Sequence, residues 1–233
     1  MVALCIVLGI LVALGIAMAV VAIVRGDKKI REENRHANCE PGMNWSEKRT
    51  AVSFDQALSV CPNKLIVNNL ILPGLYDQKH TTQIDTLIVS TKGLFVIETK
   101  SWNGRVYGYE SQKEWTVYYE SGESHKMYNP TWQNDGHAHR VEQLIERDTD
   151  LDLNSIVIVP MVVFFHGDIS HVEASGCYTR RQALEGIRGY QDSMDDDTVN
   201  ELKRLFSWYK ANPPSTALEH ARYVQNIKES NGE

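Results

Sequence analysis

Hydrophobic and polar positions divide the chain into three regimes. From Val2 to Val24 the run is Val, Ala, Leu, Ile, Met and Cys, broken only by Gly9 and Gly15 and carrying no charge. As a helix it would span about 35 Å, enough to cross a bilayer core of roughly 30 Å with modest tilt. This predicts a transmembrane anchor over 1–24. A cleaved signal peptide would carry a basic leader and an apolar stretch of only about 7–15 residues. Here no Lys or Arg precedes the run, and Ala17-Met18-Ala19 lies inside it. Residues 25–45 are polar, contain the turn signal Pro41-Gly42 and read as a juxtamembrane linker. From 46 to 233 the apolar positions recur with helical and strand periods, as expected for one folded domain.

Ser46 is placed to cap a helix running to about Val60, with Ala51, Phe54, Ala57 and Leu58 on one face. Leu65–Leu72 reads as a strand closed by Pro73-Gly74. Gln83–Ser90 and Gly93–Lys100 are rich in β-branched and apolar residues and are separated only by Thr91-Lys92, which predicts a hairpin. Arg105–Tyr109 and Trp115–Tyr119 continue as strands, in the manner of a meander. Asn129-Pro130 opens a helix to about Arg147 that buries Ala138, Val141, Leu144 and Ile145. Ser155–Phe165 is a strand covered on both faces, with Pro160 requiring an edge position or a bulge. Thr179 with Gln182, and Thr216 with Glu219, are capping boxes of two later helices, the last ending near Glu229. Between them, Asp197 or Thr198 opens a helix with Leu202, Leu205, Phe206 and Tyr209 inward. The order predicts an α/β or α+β domain around a mixed sheet.

Charge orients the anchor. Arg25, Lys28, Lys29, Arg31 and Arg35 follow the apolar run directly. Basic residues beside a span stay cytoplasmic, so the N-terminus is expected outside and the folded domain on the cytoplasmic side of the cell membrane. The formal charge of −6 belongs wholly to the part after the anchor and argues against a generic nucleic-acid coat protein. Cys39, Cys61 and Cys177 form no C-x-x-C pair, so neither a zinc knuckle nor a disulfide framework is indicated.

The hairpin carries the candidate chemistry. With Thr91-Lys92 as the loop, Ser90 faces Gly93 and Asp85 falls opposite Glu98. Lys100, two residues on, emerges on the same face, and Leu87, Val89, Leu94 and Val96 continue that face as apolar cover. Two carboxylates at cross-strand distance repel unless a cation sits between them. Two acids and a lysine suit Mg²⁺, which takes a couple of carboxylates together with waters and phosphate oxygens. The same pattern also describes a solvated Glu/Lys pair beside a structural Asp. Elsewhere, His137 and His139 read as surface histidines, and His166 and His171 flank a loop after the apolar strand with nothing else in the sequence converging on them. Trp102, Tyr107, Tyr109, Trp115, Tyr118 and Tyr119 read as sheet packing, with base stacking as the alternative. The acidic run Asp195–Asp197 reads as a solvated helix start.

The segment QIDTLIVSTKGLFVIETKSWNGRVYG, followed by a Trp and then YNPTWQN, resembles the nuclease-related domain (NERD) family, part of the PD-(D/E)xK, restriction-endonuclease-like superfamily. The resemblance covers roughly residues 45–165. It implies an αβββαβ core with Asp85 and Glu98 as ligands of Mg²⁺ or Mn²⁺ and Lys100 as the catalytic lysine. Glu47 stands where the family has an acid on its first helix, although Ser46 replaces the usual preceding Gly. Gln133 matches the family's helix-borne Gln, expected either to face the site or to belong to a structural helix-capping region at Asn129-Pro130. The function implied is a membrane-anchored, metal-dependent nuclease acting on nucleic acid, DNA in particular. The alternative is a catalytically silent membrane-bound module that binds nucleic acid or recruits a protein partner.

The anchor predicts that the protein stays in the membrane fraction through alkaline washing, with its C-terminal body open to protease only from the cytoplasmic side. Recovery of a soluble mature form beginning near Val20 would identify a signal peptide instead.

Overall fold

The computed structural model describes residues 45–74 and 80–231, with side chains described over 49–74 and 80–227. The expected anchor over 1–24 and most of the expected linker lie outside the described residues. Among the described residues, no helix is long and apolar enough to cross a membrane.

A mixed five-stranded sheet organises the domain. It comprises β1 (Lys64–Leu72), β2 (Thr82–Ser90), β3 (Gly93–Lys100), β7 (Ile158–Phe164) and β9 (Cys177–Thr179), in that spatial order. The first three strands are antiparallel neighbours, and β3, β7 and β9 run parallel. The hairpin register is the one its two-residue loop requires: Ser90 pairs with Gly93, Leu87 with Val96 and Thr86 with Ile97. The ladder stops there, one pair short of Asp85 and Glu98.

Helices cover both faces. On one face Leu87, Val89, Leu94 and Val96 pack with Val141 and Leu144 of α2 (Pro130–Asp148) and with Leu202 and Phe206 of α4 (Asp196–Ala211). On the other, Ile88, Phe95 and Ile97 meet Phe54 and Leu58 of α1 (Trp45–Ala57) and its C-terminal turn, and Ile187 of α3 (Arg180–Gly189). Alternate residues of β3 therefore feed separate cores, which is why its sequence is continuously apolar. Each fully buried Leu, Ile or Phe contributes about 1.5–3 kcal/mol. The last helix, α5 (Ala217–Asn231), begins at the expected capping box, with Thr216 and Glu219 bonded reciprocally. Thr179 and Gln182 form the other box.

A second sheet comprises β6 (Ser124–Tyr128), β5 (Glu114–Tyr118), β4 (Arg105–Tyr109) and β8 (Asp168–Glu173), in that order. The meander β4–β5–β6 is antiparallel, and β8 joins β4 in parallel. Val106, Trp115 and Val117 on its inner face pack against Val162 and Phe164 of β7. Gly108 lies beneath Trp115, where a Cβ would fall 2.2 Å from the indole ring, so a side chain there would displace the tryptophan.

Several boundaries differ from the sequence expectation, and three strands are not expected from it. α4 starts at Asp196 because Asp195 supplies the cap, its carboxylate accepting from the Thr198 amide at 2.7 Å. β7 starts at Ile158 because Asp152 caps a 3₁₀ turn over Leu153–Ser155. β6, β8 and β9 are short and mostly exposed or half-buried, and they lack the apolar alternation that announces a strand. Pro160 meets the edge requirement within the sheet. It pairs with Val96 on one side, whereas β9 begins only beside Val162 on the other.

Asn129 sets the position of α2. Its carboxamide oxygen accepts from the Thr131 amide at 2.9 Å and from the Thr131 hydroxyl at 2.7 Å. Its nitrogen donates to the carbonyls of Glu110 and Gln112. One buried side chain thus caps the helix and ties it to the β4–β5 turn. Asn129→Ala is expected to destabilise the domain by about 2–4 kcal/mol, from the lost cap and two carbonyls left without their donor. Chemical denaturation would show it as a lower midpoint with unchanged slope.

Candidate functional site

The site assembles where β3 passes beneath the first turns of α2. Glu98 is only 4% exposed, unusual for a carboxylate unless its charge is compensated. Its Oε1 accepts from Lys100 Nζ at 2.7 Å and from Gln133 Nε2 at 2.9 Å. Lys100 Nζ also donates to Gln133 Oε1 at 2.9 Å, so the three side chains close a ring of hydrogen bonds. Strand alternation brings Glu98 and Lys100 to one face, and the helix supplies Gln133 from above. Lys100 Nζ lies 5.7 Å from the centre of the Trp102 ring, which gives the ammonium an aromatic neighbour.

Asp85 lies where the β2–β3 ladder ends. Its Oδ2 accepts from the Thr99 amide at 2.8 Å, replacing the next ladder bond with a charge-assisted one. Alternation along β2 puts Asp85 on the face of Leu87 and Val89, the same face as Glu98. Glu47 falls in the first turn of α1, and its side chain lies outside those described.

His137 departs from the surface reading. It is buried, one turn beyond Gln133, with Nδ1 at 3.6 Å from Glu98 Oε2. Burial drives its pKa below the usual histidine range, the Lys100 and His220 charges push the same way, and Glu98 opposes them. The signal for this position was in the sequence: Gln133 and His137, four apart, share one helix face. His139 is exposed as expected, and His171 stacks on Tyr107 with ring centres 4.4 Å apart. Of the aromatic residues, Trp115 is fully buried, whereas Tyr109 and Tyr118 are exposed.

The donor set fits a divalent ion in one specific respect. Glu98 Oε2 is buried and has no hydrogen-bond partner among the described residues, an arrangement that costs free energy unless something positive reaches it. Among the described residues, no three His, Cys, Asp or Glu side chains are grouped to hold one ion, so waters or substrate oxygens would complete any coordination shell.

The architecture and site together define a mixed α+β protein whose central hairpin carries an acid–acid–lysine arrangement under a helix-borne glutamine. The nuclease-related domain model matches residues 44–165, a little over half of the chain, and the protein belongs to that family. An uncharacterised protein of Bacillus anthracis is 40% identical over 67 residues, which are 29% of this chain and 31% of that relative. The chain thus spans less than a third of the curated relative it matches. No solved structure matches.

The two buried histidines generate a pH dependence. His220, whose Nδ1 lies 2.7 Å from Thr81 Oγ1, also has its pKa lowered by burial. In the unfolded chain both titrate near 6.5. As pH falls below that value the unfolded state takes up protons first, so stability is full above it and declines until the lower folded pKa values are passed. Thermal melts should therefore show stability falling as pH drops below the unfolded histidine value, and His220→Gln should make the decline shallower.

Proposed function

We propose that this chain is a membrane-tethered nuclease that hydrolyses phosphodiester bonds of nucleic acid, DNA foremost, with a Mg²⁺ or Mn²⁺ ion. In this reading it belongs to the PD-(D/E)xK, restriction-endonuclease-like superfamily. The apolar run over 1–24 holds the domain at the cytoplasmic face of the cell membrane. The observation that carries the reading is the buried Glu98 carboxylate. One oxygen is fixed by Lys100 and Gln133 and the other has no hydrogen-bond partner among the described residues, in a protein of the nuclease-related family. The succession of α1, β1–β3, α2 and β7 around the main sheet, with the β4–β6 meander inserted before α2, supports the superfamily assignment.

Asp85 and Glu98 would hold the ion, Glu98 through Oε2, and Glu47 would add a further carboxylate from α1. Bound there, the ion would act as a Lewis acid on the phosphate and lower the pKa of a water. A carboxylate has about four lone-pair sites, so Asp85 can keep its bond from the Thr99 amide while acting as a ligand. Lys100 is held by Glu98 Oε1 and Gln133 Oε1, which fixes the ammonium without a flexible search. From that position it orients the attacking water and stabilises negative charge developing on the phosphoryl oxygens. Gln133 acts through Lys100 and Glu98 and is a positioning residue.

A second reading has its own support. The bond from the Thr99 amide to Asp85 is what a purely structural aspartate would make, and the net charge of −6 disfavours broad contact with phosphates. On that reading the chain is a silent module that recruits a nucleic acid or a protein.

The test is digestion of single- and double-stranded DNA and RNA by the full-length protein in mild detergent, with Mg²⁺ or Mn²⁺. Lys100→Ala should lower the rate by about 10²–10³-fold, as removal of a charge-stabilising donor does elsewhere, measured below its melting temperature, which should fall because the buried Glu98 carboxylate loses its partner. No hydrolysis of any substrate, or equal rates for wild type and Lys100→Ala, would transfer support to the recruitment reading.

A further inference from the structure

A second polar cleft, of about 240 Å³, lies on another flank of α2. Gln133 and His137 face Glu98, whereas Thr131 and Asp135, rotated roughly 140–180° from their mean direction on the helical wheel, and Asn134, rotated about 80°, line this cleft. Glu110, at the end of β4, and Ser175 and Gly176, between β8 and β9, form its other side. Pro160 and Val162 of β7 provide an apolar wall.

Three oxygen-bearing groups converge here without a cation. Glu110 and Asp135 are exposed along the cleft and, among the described residues, neither forms an ion pair; no Lys or Arg lines the space. Asn134 is 1% exposed; its Nδ2 donates to the Val96 carbonyl at 3.0 Å, and its Oδ1 is buried with no hydrogen-bond partner among the described residues. A buried amide oxygen left unpaired is costly, so its retention beside two carboxylates points to a ligand with positive charge. The local field agrees: burial and then Glu110 raise the Asp135 pKa, and burial, Glu110 and Asp135 push the Cys177 thiol up to about 12. A neutral thiol at that position leaves the oxygens as the donors, and oxygen donors select hard cations.

We propose that this cleft binds one hard divalent cation, Ca²⁺ foremost, through the carboxylates of Glu110 and Asp135 and the Oδ1 of Asn134, with waters completing the shell. Ca²⁺ takes six to eight oxygens in flexible geometry, and few charged ligands in an open cleft suit weak binding, of the order of 10⁻⁴–10⁻³ M. The ion would join α2 to the β4 terminus and the β8–β9 turn, so its role is to fasten the small sheet to the helix that carries Gln133. The site is separate from Glu98 and does not depend on the nuclease reading.

The experiment is calcium titration of the full-length protein in mild detergent, followed by calorimetry and by thermal unfolding, for wild type, Glu110→Gln/Asp135→Asn and Glu98→Gln. The expected result is one weak calcium site and a calcium-dependent rise in melting temperature in wild type. Both should be kept in Glu98→Gln and lost in the double variant. The double variant changes two exposed side chains, so it should fold. Its melting temperature without calcium, equal to or above that of wild type, checks this and reports the relief of carboxylate repulsion. No calcium response in wild type, an undiminished response in the double variant, or its loss in Glu98→Gln alone would each overturn the proposal.

Discussion

The elements around β3 hold one carboxylate, that of Glu98, out of water. Removing Glu98 from solvent carries a desolvation cost that its ion pair with Lys100 offsets only when the geometry is tight and remaining lone pairs are served. Strand alternation brings Lys100 to Glu98, and α2 brings Gln133 to both. The compensation is incomplete, because the second oxygen has no hydrogen-bond partner among the described residues and lies 3.6 Å from a histidine whose pKa burial lowers. Such residual frustration is tolerated in a stable domain when something else acts there, which is why this carboxylate, rather than the exposed acids, defines the site.

That compensation depends on where α2 lies, and its placement comes from outside the main sheet. Asn129 ties the first turn of α2 to the β4–β5 turn, and Trp115 fastens that small sheet to the end of β7. The hairpin supplies the charges, and the meander supplies the helix position that neutralises one of them. A disturbance at Asn129 or under Trp115 would therefore reach Lys100 through two rigid elements rather than through any direct contact.

Much of this was legible in the sequence. A two-residue loop fixes a hairpin register, so the relation of Asp85 to Glu98 and Lys100 followed from counting along two strongly apolar strands. Both capping boxes and the Asn129-Pro130 start were readable because each satisfies backbone donors locally. The family resemblance added Gln133, which spacing alone would not have selected. What stayed hidden was non-local. The burial of His137 depends on how deeply α2 sits over β3. The bond from the Thr99 amide to Asp85 depends on where the ladder ends. β6, β8 and β9 are strands because of the neighbours they meet, not because of their own alternation, and tertiary context decides such cases.

Pro160 has a consequence beyond the loss of a single donor. β9 is short and covers β7 only from Val162 onward, so the earlier half of β7 presents an uncovered lateral edge. The backbone amides of Leu94 and Phe165 bond across to Val157 and Lys100, which turns the odd-numbered amides of β7 toward β3 and the even-numbered ones toward that open side. Pro160 is even-numbered. The strand segment most able to template pairing with a foreign chain thus withholds the amide such pairing would need, in a run whose valines and phenylalanines would otherwise invite fibrillar growth.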